Sequence, residues 1–70
     1  MLTPASLTRL GLLLYGPCWR IPLAEALGVR RETIYRWANG KWPIPPGLPA
    51  DLKRIMREKI AELRKEIESL

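Results

Sequence analysis

Seventy residues, 47% of them hydrophobic, allow one small domain with a marginal core, so self-association or unusually close helix packing has to contribute to stability. A formal net charge of +5 points to a polyanionic partner. With no histidine and a single cysteine, the chain lacks ligands for a structural zinc and any Cys/His or Ser/His pair for nucleophilic catalysis, so no metal, cofactor or enzymatic activity is expected.

Thr3 and Pro4 form a helix start: threonine caps, and proline suits the first helical position, where its missing N–H costs nothing. The first helix is expected to run to about Tyr15, with Leu7, Leu10, Leu13 and Leu14 as its buried stripe. Leu12 falls off that stripe and marks a second contact surface. Gly16-Pro17 breaks the helix, and Cys18 is expected to be a small buried apolar residue. The second helix starts between Trp19 and Pro22, because Pro22 fits only a first turn. It ends at Gly28, where a left-handed residue is wanted. Ala24 is small where two helices must cross closely, and Val29 is an apolar plug in the turn.

The third helix is read as Arg31 to Asn39. Ile34, Trp37 and Ala38 fall at i, i+3 and i+4 and turn into the core, where Trp19 is placed as well. Glu32, Tyr35, Arg36 and Asn39 are left on the outer face. Arg30 stands where Ser, Thr, Asp or Asn would cap the helix. Giving up ~1 kcal/mol of capping suggests a phosphate or base contact instead. Asn39-Gly40 stops the helix.

Lys41 to Pro49 carries four prolines and reads as a stiff strap. Trp42, Ile44 and Leu48 are expected to pack on the domain, a reading favoured over a ligand for an aromatic-lined groove. A fourth helix begins near Pro49 and reaches Leu70, with Asp51 in its first turn complementing the helix dipole. Leu52, Ile55 and Met56 form a patch suited to docking on the core. Met56, Ile60, Leu63, Ile67 and Leu70 follow a 4-3-4-3 spacing and read as an a/d seam. Two heptads are too few for an independent coiled coil, so one reading is packing within the monomer. Pairing with a second copy is favoured. A parallel pair sets Lys59 near Arg64 of the partner, and an antiparallel pair sets Lys59 near Glu66. No segment is long and apolar enough to span a membrane, and the start lacks signal-peptide features, so a cytoplasmic, nucleoid-associated location is expected.

The positive charge is unevenly placed. Residues before Ala50 carry six basic and two acidic groups, and those from Asp51 onward six and five. The basic half holds the pattern Arg20-x-x-Leu23-Ala24-x-x-Leu27-Gly28-Val29-x-x-x-Thr33-Ile34-x-x-Trp37-x-x-Gly40. Over roughly Leu7 to Ile55 the chain resembles the lambda-repressor-like helix-turn-helix family, also called the Cro/C-I or XRE type. Leu14-Tyr15-Gly16-x-x-Trp19 and Ile44-Pro45-Pro46 are similar to a subgroup of small phage and bacterial regulators.

The resemblance implies an all-α fold: a lambda-repressor-like helix-turn-helix core of three helices plus a long amphipathic C-terminal helix. Residues 1–49 would be the core with its strap (41–49), and residues 50–70 the C-terminal helix and dimerisation element. It also implies sequence-specific double-stranded DNA binding by a homodimeric transcriptional regulator, often a repressor. Arg31, Glu32 and Arg36 stand where the family reads bases. Arginine suits guanine O6/N7, while Glu32 either accepts from cytosine N4 or orients Arg36 at i+4. Arg20, Thr33, Tyr35, Asn39 and Lys41 are placed for phosphates, and Arg30 for either; Tyr35 could equally pack on the helix flank. Family members usually carry Gln or Ser where Arg20 and Arg30 stand. The alternative is a protein-interaction module or antitoxin-like adaptor that keeps the helix-turn-helix shape. Such a surface should centre on apolar anchors, whereas the outer face of the third helix is polar.

Overall fold

The computed structural model describes residues 2–70 and is all-helical, with four α-helices and no strand among the described residues. Helix α1 spans Pro4–Tyr15, α2 Arg20–Leu27, α3 Arg31–Ala38 and α4 Leu48–Ser69; a short 3-10 turn, Gly16–Cys18, links α1 to α2. The start of α1 follows from its capping chemistry: Thr3 Oγ1 accepts the Ser6 N–H at 3.1 Å, and Pro4 opens the first turn.

The α2–α3 connection is short because one glycine reverses the chain. Gly28 sits at φ 70°, ψ 30°, the left-handed region that a side chain disfavours. Its N–H and that of Val29 turn back to the last carbonyls of α2: Gly28 to Glu25 at 3.2 Å, Val29 to Ala24 at 3.0 Å. The chain then extends through Arg30 (φ −75°, ψ 148°) into α3. Arg30 holds the N-cap position and makes no side-chain cap hydrogen bond.

Leu7 of α1, Leu23 and Ala24 of α2, Ile34 and Trp37 of α3, and Leu48, Leu52 and Ile55 of α4 close a core around Trp19. Trp19 is the largest fully buried side chain. Its ring lies directly against the backbone of α1 at Gly11, so a Cβ there would collide with ring atoms Cδ2 and Cε3. A helix-interior glycine costs roughly 0.5–1 kcal/mol against alanine. Here it admits an indole to the axis of α1, burying far more surface than a methyl group could.

Three expectations about burial are corrected. Leu13, expected in the buried stripe of α1, is 77% exposed. The covered line runs through Leu7, Leu10, Gly11 and Leu14, and two residues beyond Gly11 is a turn of about 200° around the helix. Cys18 is exposed, because it ends the surface 3-10 turn rather than entering the core that Trp19 fills. Trp42 is 46% exposed; of the strap residues, Ile44 is half-buried and only Leu48 is fully packed, as the first residue of α4.

Helix α4 divides in two. Its first turns place Leu48, Leu52 and Ile55 in the core, and Met56 is partly covered. From Ile60 to Leu70 every residue is exposed. The molecule measures 43 × 22 × 20 Å, with a 22-residue α4 that is about 33 Å long. No helix is long and apolar enough to cross a membrane.

Candidate nucleic-acid interface

Burial of Ile34 and Trp37 fixes the rotation of α3 about its axis. The opposite face is thereby held outward, leaving Arg31, Glu32, Tyr35 and Arg36 exposed, with Arg30 exposed just before the helix. Thr33 is half-buried. The sequence-predicted base-reading set is therefore brought together on one open helix face. Arg30, Asn39 and Lys41 lie at the two ends of that helix, and all three are exposed.

Arg20, at the first position of α2, ties the two short helices together. Its guanidinium carbon lies 4.9 Å from the Trp19 ring centroid and 5.1 Å from that of Tyr35. Both distances fall within cation–π range. Its Nε is buried and has no hydrogen-bond partner. Tyr35 is 48% exposed and supplies one wall of this slot, with the rest of its ring open to solvent. The two rings hold the guanidinium in place, and its buried Nε–H, left without an acceptor, costs ~1–3 kcal/mol.

The C-terminal end of α3 is shaped by a backbone reversal. Asn39 Oδ1 accepts the Lys41 N–H at 3.0 Å, and the Trp42 N–H donates to the Arg36 carbonyl at 3.2 Å. The chain folds back and lays the Trp42 indole against Arg36, whose guanidinium carbon is 4.5 Å from the ring centroid. The side-chain oxygen of Asn39 is thus committed to the turn, which leaves its amide nitrogen as the free donor.

Expected pairing of Glu32 with Arg36 does not form. Glu32 Oε1 lies 3.7 Å from Arg31 Nε instead, with the two side chains 57% and 62% exposed, while Arg36 is drawn to Trp42. Such an exposed pair contributes only ~0–1 kcal/mol. It opens readily when a stronger acceptor for Arg31 arrives. Among the described residues, Arg20, Arg30, Arg36 and Lys41 have no carboxylate within ion-pair distance. The described residues contain no His/Cys/Asp/Glu group able to hold a metal.

Trp42 is the site residue that sequence reasoning misplaced. The turn signal Asn39-Gly40 was legible, but the return of the chain onto the previous helical turn was not. The residues read from the sequence as a dimerisation seam lie apart from this surface, on α4. Ile60, Leu63, Ile67 and Leu70 are 48%, 53%, 70% and 106% exposed, and Met56 alone touches the core.

Comparison with known proteins gives no match: no family model fits the chain, and no curated protein or solved structure is significantly similar to it.

Proposed function

We propose that this chain is a sequence-specific double-stranded DNA-binding protein of the lambda-repressor-like helix-turn-helix type, acting as a small homodimeric transcriptional regulator, most simply a repressor. In this reading α2, the Gly28 turn and α3 form the helix-turn-helix, and α3 enters the major groove. The observation that carries it is the outer face of α3. Arg31 and Arg36 are exposed, and Arg30, Lys41 and the slotted Arg20 surround them without carboxylate partners.

Each group has a role. Arg31 and Arg36 donate two parallel hydrogen bonds to guanine O6/N7, each good pair contributing ~1–3 kcal/mol of discrimination. Glu32 accepts from cytosine N4 once Arg31 leaves it. Arg20, Arg30, Thr33, Tyr35, Asn39 and Lys41 hold phosphates and set the register, supplying salt-dependent affinity. A second copy joined through Met56, Ile60, Leu63, Ile67 and Leu70 presents two α3 helices to half-sites about 34 Å apart. A protein-interaction module draws support from the same bare α4 face. The α3 face argues against that reading, since Tyr35 is its one large apolar side chain and Tyr35 is engaged with Arg20.

The test is binding-site selection from a random duplex pool, with sedimentation of the bound complex. A two-fold-symmetric site carrying two chains is expected. Recovery of no enriched site, together with weak, purely salt-governed binding, would remove sequence-specific recognition.

A further inference from the structure

Trp42 occupies an unusual position for a large aromatic side chain. It is half exposed, in a strap whose neighbours Ile44 and Leu48 turn inward, yet its backbone is pinned to the helix it follows. The pin is specific: the Trp42 N–H bonds to the carbonyl of Arg36, the very residue whose side chain lies over the indole. The Asn39 side chain closes the intervening turn on the Lys41 N–H. These two contacts bring the Trp42 and Arg36 backbones together, and their side chains meet with 4.5 Å between guanidinium carbon and ring centroid.

We infer that Trp42 is a specificity-determining positioning residue: its indole braces the Arg36 guanidinium so that the N–H edge is pre-aimed at a guanine in the major groove. This rests on the reading of α3 as the base-reading helix. The physical reason is geometric. A free arginine side chain samples many rotamers and loses that freedom when it docks. Stacking on an aromatic face restrains the planar fork while leaving its in-plane donors open, and those donors are what O6 and N7 require. No carboxylate holds Arg36 in competition, since Glu32 is turned to Arg31. Trp42 also lines a shallow groove with Leu2, Pro4, Gly40, Pro43 and Ile44. A role confined to covering that groove would leave base discrimination untouched.

Two readouts test this, one without DNA. In the free protein, ring current from the indole should shift the Arg36 side-chain resonances upfield. Trp42→Ala should return them to the positions of an unstacked arginine, and Trp42→Phe should keep part of the shift. Arg36 resonances identical in wild type and Trp42→Ala show that no brace exists and overturn the inference, leaving the DNA-binding reading standing.

The second readout uses the duplex enriched by selection and a scrambled duplex of the same length. Trp42→Ala should lower the ratio of the two affinities about tenfold, with the scrambled duplex changing little. Trp42→Phe should recover most of the ratio. Arg36→Ala and the double variant Arg36→Ala/Trp42→Ala should lose the same amount, because the brace acts only through Arg36. An unchanged ratio in Trp42→Ala, or losses that add in the double variant, overturns the inference. A wild-type chain that enriches no duplex overturns the function itself and the inference with it, an outcome the resonance shifts keep distinct.

Discussion

The globule and the distal half of α4 are built from the same kind of pattern and meet opposite fates. Leu48, Leu52 and Ile55 repeat at helical spacing and are buried to 4%, 1% and 6% exposure. Ile60, Leu63, Ile67 and Leu70 repeat just as regularly, and every one of them faces solvent. The helix does not change; what lies beside it does. The first turns of α4 share a core with α1, α2 and α3, and beyond Lys59 every residue of the helix is exposed. Periodicity therefore states which residues want a partner, not whether the same chain supplies one.

The comparison breaks most sharply on the core side. Leu52→Ala should cost about 2–5 kcal/mol, because a fully buried leucine in so small a core leaves a cavity that cannot collapse. Denaturant unfolding measures it. If Leu52→Ala proves no costlier than Leu63→Ala at micromolar concentration, the two halves of α4 are not distinct.

Gly11→Ala comes next, at about 1–3 kcal/mol of overpacking. This is opposite in sign to the gain in propensity that alanine gives an ordinary helix position. A thermal melt decides the sign. A raised melting temperature would mean that the Trp19 ring does not lie against α1 as described.

On the α3 face, Arg36→Ala should cost ~1–3 kcal/mol on the selected duplex and far less on scrambled DNA. Lys41→Ala should weaken both alike and reduce the slope of log affinity against log salt by about one. Equal losses on both duplexes for Arg36→Ala would remove it from the base-reading set.

The smallest effect on the fold belongs to the distal helix. Ile67→Glu should leave unfolding in dilute solution within about 0.5 kcal/mol of wild type, as for other surface substitutions. It should abolish any rise of melting temperature with protein concentration. Sedimentation of Ile67→Glu as a dimer would move the interface elsewhere.

Four helices and their approximate limits were legible in the sequence. The local signals are strong and independent: Thr3-Pro4 at a helix start, Gly28 at a reversal, Pro22 confined to a first turn. The inward places of Leu7, Ile34 and Trp37 follow from 3.6-residue periodicity, and that of Ala24 from the need for a small residue where two helices cross. Gly11 was not foreseen, because a glycine carries no hydrophobic signal and its reason is a ring eight residues later in the chain. Leu13 was misread for the same cause, since the true stripe passes through Gly11 and a leucine drew the eye to the wrong side. Of the candidate site, the outward place of Arg36 was legible from helical phase, and Arg31 entered through the family resemblance. The two stacking arrangements, Arg20 between Trp19 and Tyr35 and Arg36 on Trp42, were not. Each depends on where a turn delivers an aromatic ring, which spacing does not encode.

The most direct measurement of the central claim is methylation interference on the selected duplex. If the arginine face of α3 reads the major groove, methylating guanine N7 within each half-site should block binding. Methylating adenine N3, on the minor-groove side, should not, and Arg36→Ala should erase the sensitivity at one guanine per half-site. Binding indifferent to guanine N7 methylation, or no binding to any duplex at low salt, contradicts the account.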